Sequence, residues 1–311
     1  MSHLPCHPQL ASPAAATFTM IREDMAFSRR KFLGLGAGAA VAFSLPLADA
    51  YTHGRHHLTT LRQDIFIPDL PDAFVGFTIA QLSDFHFGVH DESDLLTRAI
   101  EVVNNLHPDM VALTGDFITA NYESARANLR AAHQCAELFR AIQSPLRLAS
   151  YGNHDMIAPR AVADALKSNG ITLLRNAGLN IKRGGDTMWL GGLADSLGDV
   201  PIESAALPRS VRDQPAILLG HEPSFATRLT GDIERGNLRC DLFLTGHTHG
   251  GQVNLPIITQ NLASSLGERF LHGAFSLEGF TMYVNRGLGT IHLPLRLDAP
   301  PEVTLLTLRR G

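Results

Sequence analysis

The chain has 311 residues, of which 45% are hydrophobic and 18% are charged, values that are ordinary for a soluble globular protein. A formal net charge of −4 gives no electrostatic footprint for nucleic acid, which normally shows as a basic patch or stripe. We therefore expect no nucleic-acid partner and do not favour a nuclease.

The N-terminal region predicts an export signal. Residues 29–50 read RRKFLGLGAGAAVAFSLPLADA: three basic residues precede a weakly hydrophobic run rich in Gly and Ala, and the run ends in an A-x-A pattern. This looks like a twin-arginine signal cleaved after Ala50. The run is shorter than the ~20 residues that a membrane span needs, and an uncleaved anchor stays an alternative. We assign 1–50 to the signal region, with Met25 as an alternative start, and expect export to the periplasm or cell envelope through the twin-arginine machinery.

Beyond the signal, apolar runs alternate with amphipathic stretches. The runs predict five buried strands, at 77–83, 109–115, 146–152, 216–220 and 241–246. Helical periodicity predicts three helices, at 92–106, 122–142 and 159–168. Strands that alternate with helices indicate an α/β layered fold.

The later part of the chain is richer in predicted strand. A turn at Gly184-Gly185-Asp186 separates two extended runs, and 280–287 and 301–310 close the sequence. These segments predict a second sheet packed against the first. No linker divides 51–311, which we expect to be one domain. The segment 255–279 is either a lid or lipid-facing edge or an ordinary packing segment.

Polar side chains that can bind metal follow all five predicted strands. They are Asp84 and His86, Asp116, Asn153 and His154, His221, and finally His247 and His249. In an open α/β sheet, ligands bind beyond the carboxyl ends of the strands, so these groups should share one crevice. Each residue alone is more readily explained as a turn or a satisfied polar group. Five strand ends together favour one site.

The residue types favour two divalent metal ions. Imidazoles, carboxylates and an amide oxygen suit manganese, zinc or iron(II) better than calcium. Asp116 is the natural bridge between two ions roughly 3.5 to 4 Å apart, which can clamp both oxygens of a phosphoryl displacement. Water on such ions becomes hydroxide near neutral pH and can act as the nucleophile.

The ordered set D-x-H, G-D, G-N-H-D, a single His and G-H-x-H resembles the calcineurin-like metallophosphoesterase superfamily. The resemblance implies the two-sheet αββα sandwich of metallo-dependent phosphatases, an α/β fold. It also implies that one ion is bound by Asp84, His86, Asp116 and His249, and the other by Asp116, Asn153, His221 and His247. His154 would face the phosphate as a catalytic residue rather than bind metal.

Further segments resemble the bacterial branch of exported or membrane-associated phosphohydrolases, which includes enzymes similar to UDP-2,3-diacylglucosamine hydrolases. These segments are 250–252, 283–296 and 299–308. One stretch departs from the wider superfamily: FITA follows Asp116 where protein serine/threonine phosphatases carry V-D-R-G. Protein phosphatase activity is therefore not expected, and the group that orients His154 stays open, with Asp155 as a weak candidate.

Together these features predict a two-metal phosphodiesterase that acts on a cell-envelope or lipid-linked substrate by attack of metal-bound hydroxide, with peripheral membrane contact as a further expectation. A phosphomonoesterase and a noncatalytic binding module are the alternatives. Arg286 is a candidate phosphate contact, or else it pairs with a surface carboxylate. Whether Cys135 and Cys240 form a disulfide stays open.

Overall fold

The computed structural model describes residues 48–90, 92–236, 238–255, 259 and 269–311. The predicted signal region lies outside the described residues as far as residue 47, and so does most of 256–268. Within the described ranges, no helix is both long enough and apolar enough to cross a membrane. Ala50 is buried, and its carbonyl accepts a hydrogen bond from the Arg296 backbone N–H at 3.1 Å. Cleavage after Ala50 stays a prediction.

The described residues form strands, α-helices and short turns. The strands are β1 (Thr59–Ile67), β2 (Thr78–Leu82), β3 (Met110–Thr114), β4 (Leu146–Ser150), β5 (Thr172–Leu173), β6 (Ala177–Arg183), β7 (Asp186–Gly192), β8 (Ala216–Leu219), β9 (Leu242–Thr245), β10 (Gly273–Leu277), β11 (Phe280–Val284) and β12 (Glu302–Arg310). The α-helices are α1 (Ser93–Leu106), α2 (Ala125–Leu138), α3 (Pro159–Ser168), α4 (Glu203–Ala206) and α5 (Ala226–Glu234). A π turn covers Ala50–Gly54, and 3-10 turns cover Asp72–Phe74, Phe139–Ala141, Asn153–Ile157, Arg209–Val211, Pro223–Phe225 and His249–Gly251.

The strands make two mixed sheets. The first has the order β1-β12-β2-β3-β4-β5, and the second has the order β10-β11-β9-β8-β7-β6. In the first sheet β2, β3 and β4 run parallel, and in the second β7, β8, β9 and β11 run parallel. The loops that follow parallel neighbours leave a sheet at one edge, and this edge carries the polar residues predicted to form the site.

Three apolar cores separate the layers. The core between the sheets takes side chains from both, among them Ile79, Met110, Leu306, Ile217 and Leu244. A second core lies between the first sheet and α1, α2 and α3, and a third covers the outer face of the second sheet under α4 and α5. The predicted two-sheet αββα sandwich is therefore confirmed.

The five predicted buried strands and three predicted helices are all present. The prediction of a second sheet is correct, but its assignment of 301–310 to that sheet is wrong. β12 lies in the first sheet, parallel to β1 and antiparallel to β2. β12 pairs with β1, and β1 was not predicted. Most side chains of β1 are exposed, so its sequence has no apolar run. β10 and α5 were not predicted either.

Both cysteines in the described chain are free and buried. Cys135 belongs to the core beside α2, and Cys240 belongs to the core outside the second sheet. The disulfide that the sequence left open is not formed. Each thiol fills space in a different apolar layer, where burial raises its pKa well above the ordinary value.

Replacing Leu306 by alanine is expected to cost about 2 to 5 kcal/mol of unfolding free energy, because its fully buried side chain fills the core between the sheets. The matched control is Leu61→Ala on β1, where the side chain is 37% exposed and the loss should stay within about 0.5 kcal/mol. Urea denaturation of both variants measures the difference. Equal losses would contradict the assignment of Leu306 to the central core.

Candidate metal centre

The polar residues predicted from the strand ends converge because the two sheets are tied together at that edge. The Gln81 side-chain amide donates to the Thr245 carbonyl at 2.9 Å, which joins β2 to β9. The Ser150 hydroxyl donates to the Gly220 carbonyl at 3.1 Å, which joins β4 to the end of β8. These buried cross-links bring the carboxyl ends of both sheets to one place.

Asp116 lies at the centre of the cluster. Its Oδ2 is 3.4 Å from His86 Nε2 and 3.2 Å from His221 Nε2. Its Oδ1 accepts the His154 backbone N–H at 2.8 Å. One carboxylate therefore faces imidazoles from both sheets, as expected of a group that bridges two cation positions.

On one side of Asp116 lie Asp84, His86 and His249. The Nε2 atoms of His86 and His249 are 2.9 Å apart, and Asp84 Oδ1 is 3.5 Å from His249 Nε2. One ligand atom from each of the three residues lies within 4.8 Å of the others. This half of the cluster can hold a metal ion.

On the other side lie Asn153, His221 and His247. The distance from His247 Nδ1 to Asn153 Oδ1 is 3.1 Å, and the rings of His221 and His247 are 5.2 Å apart. The backbone N–H of His247 also donates to the Asp84 carboxylate at 3.0 Å, which links the two halves. All seven side chains predicted as metal ligands thus belong to one connected cluster.

The backbone at the cluster is unusual. Five of these residues have left-handed φ values: Asp84 (51°), His86 (48°), Asp116 (54°), His247 (72°) and His249 (53°). Residues other than glycine seldom adopt positive φ, and such strain concentrates at functional sites. The sharp turns allow side chains only two residues apart to reach the same centre.

Burial sets the charge states of the histidines. It lowers the pKa of His86 to about 3 and that of His247 to about 4, and it holds the pKa of His249 well below its ordinary value. These imidazoles are neutral at physiological pH and keep a lone pair for a metal ion.

His221 differs from the other histidines of the cluster. Burial opposes a charge on its ring, but the carboxylates of Asp116 and Asp84 outweigh that effect and hold its pKa well above the ordinary value. The buried carboxylates therefore attract a positive charge to the centre.

The donor set fits metal ions. His221 Nδ1 lies 2.7 Å from the Thr114 carbonyl, which can only accept, so Nδ1 carries a proton. Among the residues that the structure describes, the buried Nε2 of His221 lies 3.2 Å from Asp116 Oδ2 and 3.9 Å from Asp84 Oδ1 but makes no well-aligned hydrogen bond. A bound cation would satisfy this atom, and a distal N–H donated to a carbonyl is the usual support of a ligating histidine.

The structure identifies the group that orients His154. The Ala120 backbone N–H donates to His154 Nδ1 at 3.1 Å. Asp155 is used elsewhere, because its carboxylate accepts the N–H groups of Gly152 and Phe117, each at 2.9 Å. The sequence offered no signal for Ala120, since any residue that follows the strand supplies a backbone N–H.

Arg286 lies in the loop after β11 and pairs with the buried carboxylate of Glu302 at 2.5 Å through Nε. Its role as a phosphate contact stays a prediction. Sequence reasoning missed Arg296, which lies 3.2 Å from His249 Nδ1. Its position in the LPLR stretch gave no sign that it would be buried.

Comparison with known proteins matches a model of the calcineurin-like phosphoesterase family to residues 77–251, which contain the whole cluster. The chain is 31% identical over 292 residues to the uncharacterized metallophosphoesterase YkuE of Bacillus subtilis, covering 91% of this chain and 98% of that protein. It is 29% identical over 245 residues to the phosphodiesterase YaeI of Escherichia coli, covering 76% of this chain and 84% of that protein.

Replacing Gly152 by alanine is expected to weaken Mn²⁺ binding roughly tenfold or more, as loss of ligand support does in other sites. The extended backbone of Gly152 (φ −112°, ψ 172°) tolerates alanine, but the added Cβ would overlap a carboxylate oxygen and the backbone nitrogen of Asp116 and would lie 2.8 Å from its carboxyl carbon. Calorimetric titration with Mn²⁺ measures the effect. Gly231→Ala, in helix α5, is the control and should bind Mn²⁺ like the wild type. Unchanged affinity in Gly152→Ala would contradict the central place of Asp116.

Proposed function

The chain belongs to the calcineurin-like phosphoesterase family and is a metal-dependent phosphoester hydrolase, and from this premise we propose that it is a two-metal phosphodiesterase acting on a cell-envelope or lipid-linked substrate. The observation that carries the proposal is the convergence of six side chains with nitrogen or oxygen donors, three on each side of the Asp116 carboxylate. A single ion would leave the three donors on the other side without a metal partner.

In the proposed assignment, Asp116 is shared between two ions. Asp84, His86 and His249 complete one site, and Asn153, His221 and His247 complete the other. The mixture of imidazole, carboxylate and amide suits manganese, zinc or iron(II). When bound, the ions make water acidic enough to supply the nucleophile and offset the charge of the phosphoryl oxygens.

His154 has a different task. Because Ala120 donates to Nδ1, the proton of the neutral ring is on Nε2, and burial lowers the pKa of the ring so that the neutral form dominates. His154 is also partly accessible, and its backbone N–H fixes Asp116. We propose that Nε2–H donates a hydrogen bond to a phosphoryl oxygen and to the charge that develops on the leaving oxygen, and that it keeps its proton throughout.

The preference for diesters is supported by the relative in Escherichia coli, whose name is phosphodiesterase. Monoester hydrolysis is the alternative within the family. A noncatalytic module that keeps the fold as a binding surface is the other alternative. It has less support, because such a module would have no need for the complete donor set or for a fixed His154 ring.

A lipid-linked substrate is supported by exposed apolar residues on the loops that follow the strand ends. The loops after β2, β3, β4, β7, β9 and β11 expose apolar residues, namely Val89, Tyr122, Ile157, Leu197, Val200, Ile202, Leu255 and Leu293. An apolar patch on a protein surface often marks contact with another molecule or a membrane. We propose a peripheral membrane contact at this edge.

We further propose that the protein reaches the periplasm or cell envelope through the twin-arginine machinery. The support is the sequence of residues 29–50, with its basic residues, Gly/Ala-rich run and A-x-A ending. An envelope location would place the hydrolase beside lipid-linked phosphodiesters.

The test is turnover by metal-depleted protein reloaded with Mn²⁺. We expect bis(p-nitrophenyl) phosphate to be hydrolysed faster than p-nitrophenyl phosphate, and neither to be hydrolysed before reloading. His154→Ala should lower turnover of diphenyl phosphate roughly 10²- to 10³-fold with unchanged metal content. The loss should be smaller for bis(p-nitrophenyl) phosphate, because p-nitrophenolate is a more stable anion and needs less hydrogen-bond stabilisation as it leaves.

The matched control is His133→Ala, at an exposed histidine on α2, which should behave like the wild type. Equal losses for both esters would contradict the proposed hydrogen bond from His154 to the leaving oxygen. Absence of turnover in the reloaded wild type would favour the binding module, and faster turnover of the monoester would favour the phosphomonoesterase.

A further inference from the structure

Arg296 is a fully buried arginine beside the metal centre. Its side chain is 1% exposed, and a guanidinium stays protonated at neutral pH. Burying a guanidinium is costly unless its donors are satisfied. The hydrogen bonds that offset this cost join Arg296 to the loop between β11 and β12 and to His249.

Most donors of Arg296 are bound to backbone carbonyls. Nη2 donates to the carbonyl of Gly289 at 2.6 Å and to that of Arg286 at 3.0 Å, and Nη1 donates to the carbonyl of Ala299 at 2.9 Å. Through these bonds one side chain closes the loop between β11 and β12 on itself. The guanidinium is therefore held rigidly from three directions.

The same guanidinium touches a proposed metal ligand. Nη2 is 3.2 Å from His249 Nδ1. Nη1 also donates to the His249 backbone carbonyl at 3.4 Å, so the guanidinium holds the backbone of this residue as well as contacting its ring. The ring nitrogen that faces the site is Nε2, which lies 2.9 Å from His86 Nε2 and 3.5 Å from Asp84 Oδ1.

The loop held by Arg296 also supports Asp84. The Gly289 N–H donates to the Asp84 carbonyl at 2.7 Å, and the Leu288 N–H donates to the Ser83 carbonyl at 2.9 Å. At Gly287, which has φ 72°, an added Cβ would lie 2.5 Å from the Asp84 Cβ. The loop is thus packed against the turn that presents Asp84.

We propose that Arg296 is a positioning residue for one of the two ion sites, the one formed by Asp84, His86, Asp116 and His249. It holds the His249 backbone through its carbonyl, contacts the His249 ring, and holds Asp84 through the loop that contains Gly287 and Gly289. The inference rests on the proposed metal assignment, and it adds a residue outside the family-matched range 77–251. The other ion site has no contact with Arg296 among the described hydrogen bonds.

The test compares Arg296→Met with Arg239→Met. Arg239 is a matched control because its guanidinium also binds a carbonyl, that of Pro68 at 3.1 Å, together with Asp241 at the opposite end of β9 from the ligands. Metal-free proteins are titrated with Mn²⁺ by calorimetry and with Co²⁺ by visible absorption, and melting temperatures are recorded without metal. We expect Arg296→Met to weaken one of two binding steps about 10- to 100-fold and to change the Co²⁺ spectrum.

Arg239→Met should lose thermal stability while keeping both binding steps and the Co²⁺ spectrum. Arg296→Lys keeps the buried positive charge but donates from one point, so we expect it to weaken the same step. If Arg296→Met does not fold, the Mn²⁺ affinity of Arg296→Lys tests the positioning role instead. If the folded Arg296 variants keep the wild-type Mn²⁺ affinity and Co²⁺ spectrum and show only a lower melting temperature, the inference about Arg296 is wrong. The proposed metal assignment would still stand. Failure of the wild type to bind two ions would overturn the proposed metal assignment and the inference with it.

Discussion

The functional architecture depends on the Asp116 carboxylate, which is buried where the ends of both sheets meet. Burial opposes its ionisation, but His221 and His86 hold its pKa below the usual range. Asp84, also buried, has its pKa raised to about 6. Two buried carboxylates beside neutral imidazoles form a centre that needs positive charge. Protonated His221 meets this need in part, and divalent ions would meet it fully.

The fold makes this centre possible in two ways. The parallel strands of both sheets end at one edge, and the buried cross-links from Gln81 and Ser150 hold those edges together. The left-handed turns then direct pairs such as Asp84 and His86 to a common point. Stability from the three apolar cores offsets the strain and the buried charge at this edge. The hydrolase activity of the family thus depends on packing far from the reacting atoms.

The sequence predicted the ligand cluster because each ligand directly follows an apolar strand, a pattern visible without the structure. The alternation of apolar runs with amphipathic stretches predicted a layered α/β fold, and the family resemblance implied the two-sheet sandwich. It could not predict the partner strand of β12, because β1 is largely exposed and carries no apolar pattern. Nor could it predict that the Ala120 N–H orients His154 or that Arg296 contacts His249. The Ala120 N–H is a backbone group that every residue except proline has, so it leaves no mark in the sequence. The contact between Arg296 and His249 joins residues 47 positions apart.

The most direct test of the account is a crystal structure of the Mn²⁺-loaded protein with anomalous scattering measured near the manganese edge. The account predicts two anomalous peaks about 3.5 to 4 Å apart with the Asp116 carboxylate between them. Asp84, His86 and His249 should surround one peak, and Asn153, His221 and His247 the other. A single peak, or two peaks that do not share Asp116, would contradict the two-metal centre.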